Sequence, residues 1–178
     1  MLCRARSTSP ADPTAPGGPW IARRLWLTHA GVLGGAGLLG LAGCASPPKP
    51  TKIAATLVAD AGLNPDLRKR ASPLVLRIYE LRSTASFDAA DFLSLYERDQ
   101  ATLGAELVAR DELVLKPGET RSWDKTPGPD TRFIGMFGAF RNLEQARWKA
   151  AVALVPQQAN VLSATLEPLA LTLRRVSP

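Results

Sequence analysis

The sequence predicts a mainly β protein: a β-sandwich of about eight short strands with one inserted helical segment, carried behind an export signal. Three observations lead there. From residue 53 onward, alternating apolar and polar segments recur at short spacing, each bounded by Pro, Gly, Asn or Asp. One stretch, around Phe92 and Leu95, changes to a period of about 3.6. The amino-terminal part carries a long uncharged run of Leu, Ala and Gly.

That run, residues 25–41, follows Arg23 and Arg24 and precedes small residues, the three-part layout of a secretory signal rather than a durable membrane span. Its ending, Leu41-Ala42-Gly43-Cys44, resembles the lipobox of bacterial lipoproteins. There the cysteine sulfur takes a diacylglyceryl group, the chain is cut in front of it, and the new amino terminus is N-acylated. One acyl chain holds a membrane marginally, whereas two or more hold it stably. Ala45 follows the cysteine, where an Asp would favour the inner membrane in enteric-type lipoproteins, so the outer membrane is expected. Residues 1–24, with Cys3 and several prolines, show no recognisable order and are consistent with a translation start placed too far upstream. Arg23-Arg24-Leu25-Trp26-Leu27 has a weak twin-arginine pattern that any charged signal region also produces, so the export route stays open.

The expected organisation is therefore a signal peptide with an amino-terminal extension over 1–43, a lipidated Cys44 with a Pro-rich tether over 44–52, and a periplasmic domain over 53–178. The nine steps from Cys44 to Ile53 span at most roughly 30 Å. The domain is thus expected close to the membrane face.

The first strand is expected over 53–59, with Ile53, Ala55, Leu57 and Ala59 on one face. Asp60-Ala61-Gly62 and Asn64-Pro65 stop it. A polar loop with Arg68-Lys69-Arg70 follows, longer than a hairpin needs, and so either functional or mobile. The second strand, 74–81, sets Leu74, Leu76 and Ile78 against Arg77 and Tyr79. A helix is expected over 89–102, capped by Asp88 and closed by Gly104, with Phe92, Leu95, Tyr96 and Leu103 packed on the sheet. Strands over 112–115 and 120–123 flank a hairpin-like Lys116-Pro117-Gly118-Glu119. Residues 133–140 are apolar on both faces and read as a central strand, in which Gly135 and Gly138 mark a bulge or close approach. Three more strands, 148–155, 161–167 and 169–174, complete the set.

Cleavage before Cys44 removes His29, the only histidine, and Cys3. The mature chain then has no thiol beyond Cys44, which excludes disulfides, Cys or His zinc sites, Cys/His pairs and Ser-His-Asp triads. Carboxylates remain plentiful, but no catalytic pair stands out, so an enzyme is not expected. Four arginines and Asp12 leave with the signal, so 22 basic and 16 acidic residues become 18 and 15. The remaining excess is too small to argue for nucleic acid, which the periplasm would not offer.

Several short pieces carry a resemblance: Leu76-Arg77-Ile78-Tyr79-Glu80-Leu81, Phe87, Ala90-Asp91-Phe92, Leu95-Tyr96, Asp99, Leu103-Gly104-Ala105-Glu106-Leu107 and Leu115-Lys116-Pro117-Gly118-Glu119. Ile134-Gly135, Ala139-Phe140-Arg141 and Trp148-Lys149 extend it over roughly residues 53–175. Their order and spacing, with the lipobox, resemble the TssJ (SciN) lipoprotein family of type VI secretion systems. That resemblance implies a transthyretin-like sandwich with a helical addition, anchored in the outer membrane, without cofactor or small-molecule substrate. It also implies a partner, the periplasmic domain of TssM, and through it TssL. In the family the loop between the first two strands contacts TssM. By position this is 61–72, carried over as a segment containing Leu63, Asn64, Pro65, Arg68, Lys69 and Arg70. Two other classes fit the composition: a ligand-carrying lipoprotein, which needs a roomy apolar cavity, and a lipid-anchored hydrolase, which needs two placed carboxylates.

Overall fold

In the computed structural model, which describes residues 49–176, strict alternation becomes a two-layer sandwich. β1 (Lys52–Ala59) turns Ile53, Ala55, Leu57 and Ala59 inward and leaves Lys52, Ala54, Thr56 and Val58 outward. The other strands are β2 (Leu74–Leu81), β3 (Leu107–Leu115), β4 (Thr120–Lys125), β5 (Phe133–Gly138), β6 (Lys149–Ala153), β7 (Ala159–Glu167) and β8 (Ala170–Val176). One sheet has the order β4-β1-β7-β8, the other β3-β2-β5-β6. Only β1 and β7 pair in parallel. The readings of residues 1–43 and of Cys44 lie outside the described residues.

The main core fills the space between the sheets. Leu57, Leu74, Leu76, Leu115, Ile134, Met136, Ala164 and Leu166 are fully buried there. Each large aliphatic side chain removed from water in this way contributes about 1.5–3 kcal/mol. β5 lies between β2 and β6, as its two apolar faces predict, and its glycines mark close approach. A Cβ on Gly135 would sit 3.0 Å from Leu81 Cδ1, and one on Gly138 would sit 2.9 Å from the Phe140 ring.

A second core covers the outward face of the β3-β2-β5-β6 sheet. Two helices, α1 (Ala85–Ala89) and α2 (Phe92–Leu103), lay Phe87, Leu95 and Leu103 over Tyr79, Leu81 and Phe137. The helix expected over 89–102 is α2, preceded by the separate short α1 and interrupted at Arg98, whose backbone at φ −139° and ψ 38° is not helical. Ala90, with ψ 139°, is extended and breaks the chain, and the cap is Asp91 rather than Asp88: its carboxylate accepts the Ser94 amide at 2.9 Å. Lys149 on β6 donates to the carbonyls of Phe87, Asp88 and Ala90, which closes the end of α1. Phe92 packs at a tilt against Phe137 and edge-to-face against Trp148. Tyr96, expected in the packed stripe, is 47% exposed instead and lies over Phe92 and Arg77.

The helical insert is also held by charge. Asp99, 5% exposed, accepts the Tyr79 hydroxyl at 3.1 Å and Arg110 Nη1 at 2.8 Å, with Arg77 Nη1 at 3.5 Å. Arg77 in turn donates to the carbonyls of Leu95 and Tyr96 and pairs with Glu112. β3 starts five residues earlier than 112 because Arg110 and Asp111 are engaged in ion pairs, which hides its strand from an apolar alternation.

The hairpin-like connection expected over 116–119 is a corner between the two sheets. β3 and β4 pair with different partners, β2 and β1. The turn chemistry itself holds, with Gly118 at φ 76° and the Glu119 amide donating to the Lys116 carbonyl.

Candidate partner-binding site

The segment between β1 and β2 also crosses from one sheet to the other, and its residues divide into a neck and a tip. Asp60 starts the neck: its carboxylate accepts the Gly62 amide at 2.6 Å and its carbonyl accepts the Leu63 amide. Leu63 is fully buried in the main core. Asn64, 3% exposed, takes a left-handed backbone at φ 49°, which Asn tolerates better than most residues. Its side-chain amide donates to the Pro73 carbonyl, its side-chain oxygen accepts the Arg141 amide at 2.9 Å, and its own amide donates to the Pro168 carbonyl. The Ser72 amide closes the neck on the Leu63 carbonyl.

Between these closures the tip projects. Asp66 organises it: one carboxylate oxygen accepts the amides of Arg68 and Arg70, and the other accepts Arg70 Nε at 2.8 Å and Nη2 at 2.7 Å. Those bonds, the Arg70 amide foremost, hold the Asp66 carboxyl below its usual range. The backbone closes as well, from the Asp66 amide to the Arg70 carbonyl, with Lys69 at φ 61°. Leu67, Arg68 and Lys69 stand out from this frame, and Leu67 is fully exposed.

The tip forms one wall of an open groove of about 1040 Å³; Arg141, Asn142, Gln145 and Leu169 form the other. Phe140, 2% exposed, anchors the Arg141 segment in the core, and the Asn142 side chain bonds to Gln145. Arg141, Arg68 and Lys69 have no carboxylate partner among the described residues, so the groove is basic.

Of the residues expected to meet a partner, Pro65, Arg68 and Lys69 lie at the tip or groove, and Arg70 lies there while bound to Asp66. Leu63 and Asn64 lie in the neck instead, buried and held by internal hydrogen bonds. Leu67 and Arg141 were missed. Leu67 is legible as a lone apolar residue within Asp66-Leu67-Arg68-Lys69-Arg70, whereas the approach of Arg141 to Asn64, 77 residues away, has no local signal.

Residues 51–173 match the model of the family described as type VI secretion lipoprotein, VasD, EvfM, TssJ. The chain belongs to this family. The type VI secretion lipoprotein TssJ1 of Pseudomonas aeruginosa has a similar crystal structure, with 36% identity and a TM-score of 0.70 over 72% of this chain and 98% of that one. Serratia marcescens Lip, a membrane-bound component of the type VI secretion system, is 25% identical with a TM-score of 0.60, covering 71% of this chain and 97% of its own. A chain in the structure of the TssM C-terminal domain from EAEC shares the fold alone, at 20% identity and a TM-score of 0.55, with coverage of 71% and 98%. No curated protein matches. Among the described residues of this type VI secretion lipoprotein, no helix is long and apolar enough to cross a membrane, and no cluster of three or more His, Cys, Asp or Glu could hold a metal ion.

Proposed function

We propose that this type VI secretion lipoprotein is a structural part of the secretion membrane complex, exported, acylated at Cys44 and fixed to the outer membrane with residues 53–178 in the periplasm. Its basic groove and loop tip hold the periplasmic domain of TssM, and through TssM it is linked to TssL. The observation that carries this reading is the build of the 61–72 segment: a neck locked into the core presents a tip with the large apolar side chain of Leu67 bare.

Rigidity of that kind lowers the ordering cost of binding. Arg68, Lys69 and Arg141 set orientation and encounter rate with an acidic surface, and Leu67 supplies an apolar contact that strengthens when water is excluded. The test is capture of the TssM periplasmic domain by the wild-type chain and by Arg68→Glu/Lys69→Glu. Weaker capture with an unchanged circular-dichroism spectrum is expected. Undiminished capture removes the tip from the interface.

A further inference from the structure

β1 begins at the tether and ends at the partner loop, so the two lie at opposite ends of the sandwich. The tether end has a surface of its own. On the outward face of the β4-β1-β7-β8 sheet, Val161 of β7 and Val176 of β8 are register partners, 41% and 46% exposed. Lys52 stands on one side of this pair, opposite Ala159, and Arg174 on the other, opposite Ser163. Lys49, beside Lys52 and Ala159, extends the cationic margin, whereas Arg175, opposite the inward Leu162, turns to the other face of the sheet and reaches the Ala153 carbonyl at 3.4 Å. Lys49, Lys52 and Arg174 are exposed, and none has a carboxylate partner among the described residues. The one acid on this part of the face is Asp124, on edge strand β4 opposite Ala54.

We propose that this patch seats the domain on an anionic phospholipid surface, with Val161 and Val176 at the headgroup boundary and Lys49, Lys52 and Arg174 on lipid phosphates. It rests on the reading of Cys44 as the lipid anchor. Two observations select a lipid surface. The first is charge: a bare apolar pair framed by three unpaired cations is complementary to anionic headgroups. The second is reach: from Cys44 to Lys49 there are five steps, roughly 17 Å when extended, so the acyl chains and the patch meet the same surface. Seating fixes the orientation of the β4-β1-β7-β8 sheet relative to the membrane, so the tip is held in a set position rather than swinging on the tether.

The test uses the acylated protein, whose mature chain has no free thiol in the reading above. A solvatochromic label on Ala159→Cys, beside the patch, is compared with one on Leu67→Cys at the far tip. Each protein is reconstituted with vesicles of phosphatidylcholine alone or with added phosphatidylglycerol, and flotation is followed alongside emission. Flotation with both compositions, with a blue shift only for the Ala159→Cys label and only on anionic vesicles, is expected. Lys52→Glu/Arg174→Glu should abolish the shift and leave flotation intact, and raised salt should weaken the shift. Flotation without any shift overturns the patch and leaves the anchor standing. Flotation and shift on anionic vesicles alone overturn the anchor and leave the patch, and no flotation with either composition overturns both.

Discussion

Lys125 Nζ lies 2.8 Å from Glu80 Oε1, and this pair joins the two sheets across the edge where β4 faces β2 and β3. Glu80 is 2% exposed and also accepts the Thr131 hydroxyl and the Gly128 amide, while Lys125 reaches Asp111 as well. An inward carboxylate at the rim of an apolar core is costly when unpaired, so each partner makes the other tolerable.

Burial pushes the Glu80 carboxyl up, but Lys125, Gly128 and Thr131 together hold it below its ordinary 4.5. The folded chain therefore gives up this proton more readily than the unfolded one. The resulting stability is present above about pH 4.5 and is lost as pH falls through the lower native value. Urea unfolding at a series of pH values should show this decline, and Glu80→Gln should flatten it. Lys125→Ala, which strands the carboxylate, is expected to cost about 3 kcal/mol at neutral pH.

Asp99 ties α2 to β2 and β3 through Tyr79, Arg110 and Arg77. Asp99→Ala leaves a half-buried pair of arginines and a buried hydroxyl without their acceptor. A loss of about 3 kcal/mol is expected, with α2 becoming the first site of limited proteolysis. Tyr79→Phe, which removes one bond, should cost about 1 kcal/mol.

Leu63 and Leu67 are four residues apart and should respond in opposite ways. Leu63→Ala opens a cavity in the main core and is expected to destabilise by about 2–5 kcal/mol. Leu67→Asp should change stability by less than about 0.5 kcal/mol and weaken capture of the TssM periplasmic domain. Thermal melts and pull-downs on the two variants separate neck from tip.

Cys44→Ser should leave the near- and far-ultraviolet circular dichroism of the domain unchanged and abolish support of secretion. Cell fractionation with a secretion assay checks both. Normal secretion by this variant would make the anchor incidental.

Most of the fold was legible because each strand buries one face. The alternation in 53–59 and 74–81 and the two-faced apolarity of 133–140 translate directly into two sheets and a central strand. What was hidden is polar or distant. The first half of β3 is held by Arg110 and Asp111 in ion pairs, which leave no apolar period to read. The break at Ala90 follows from Lys149 gathering carbonyls from a strand some sixty residues away. At the site, length and charge single out the loop, but composition cannot show that Leu63 turns inward while Leu67 stays bare. The difference depends on the bonds of Asn64 to Pro73, Arg141 and Pro168.

β1 is the covalent route from the tether to the 61–72 loop, so in the proposed arrangement a pull between anchor and partner runs along its axis. It is the interior strand of its half of the sheet, with β4 laddered on one side from Ile53 to Val58 and β7 on the other from Lys52 to Ala59. Hydrogen bonds in these ladders lie across the strand, so tension loads them in shear, all at once, rather than peeling them in turn. That geometry makes β1 a tendon: the strand on the route from tether to loop is the one gripped from both sides.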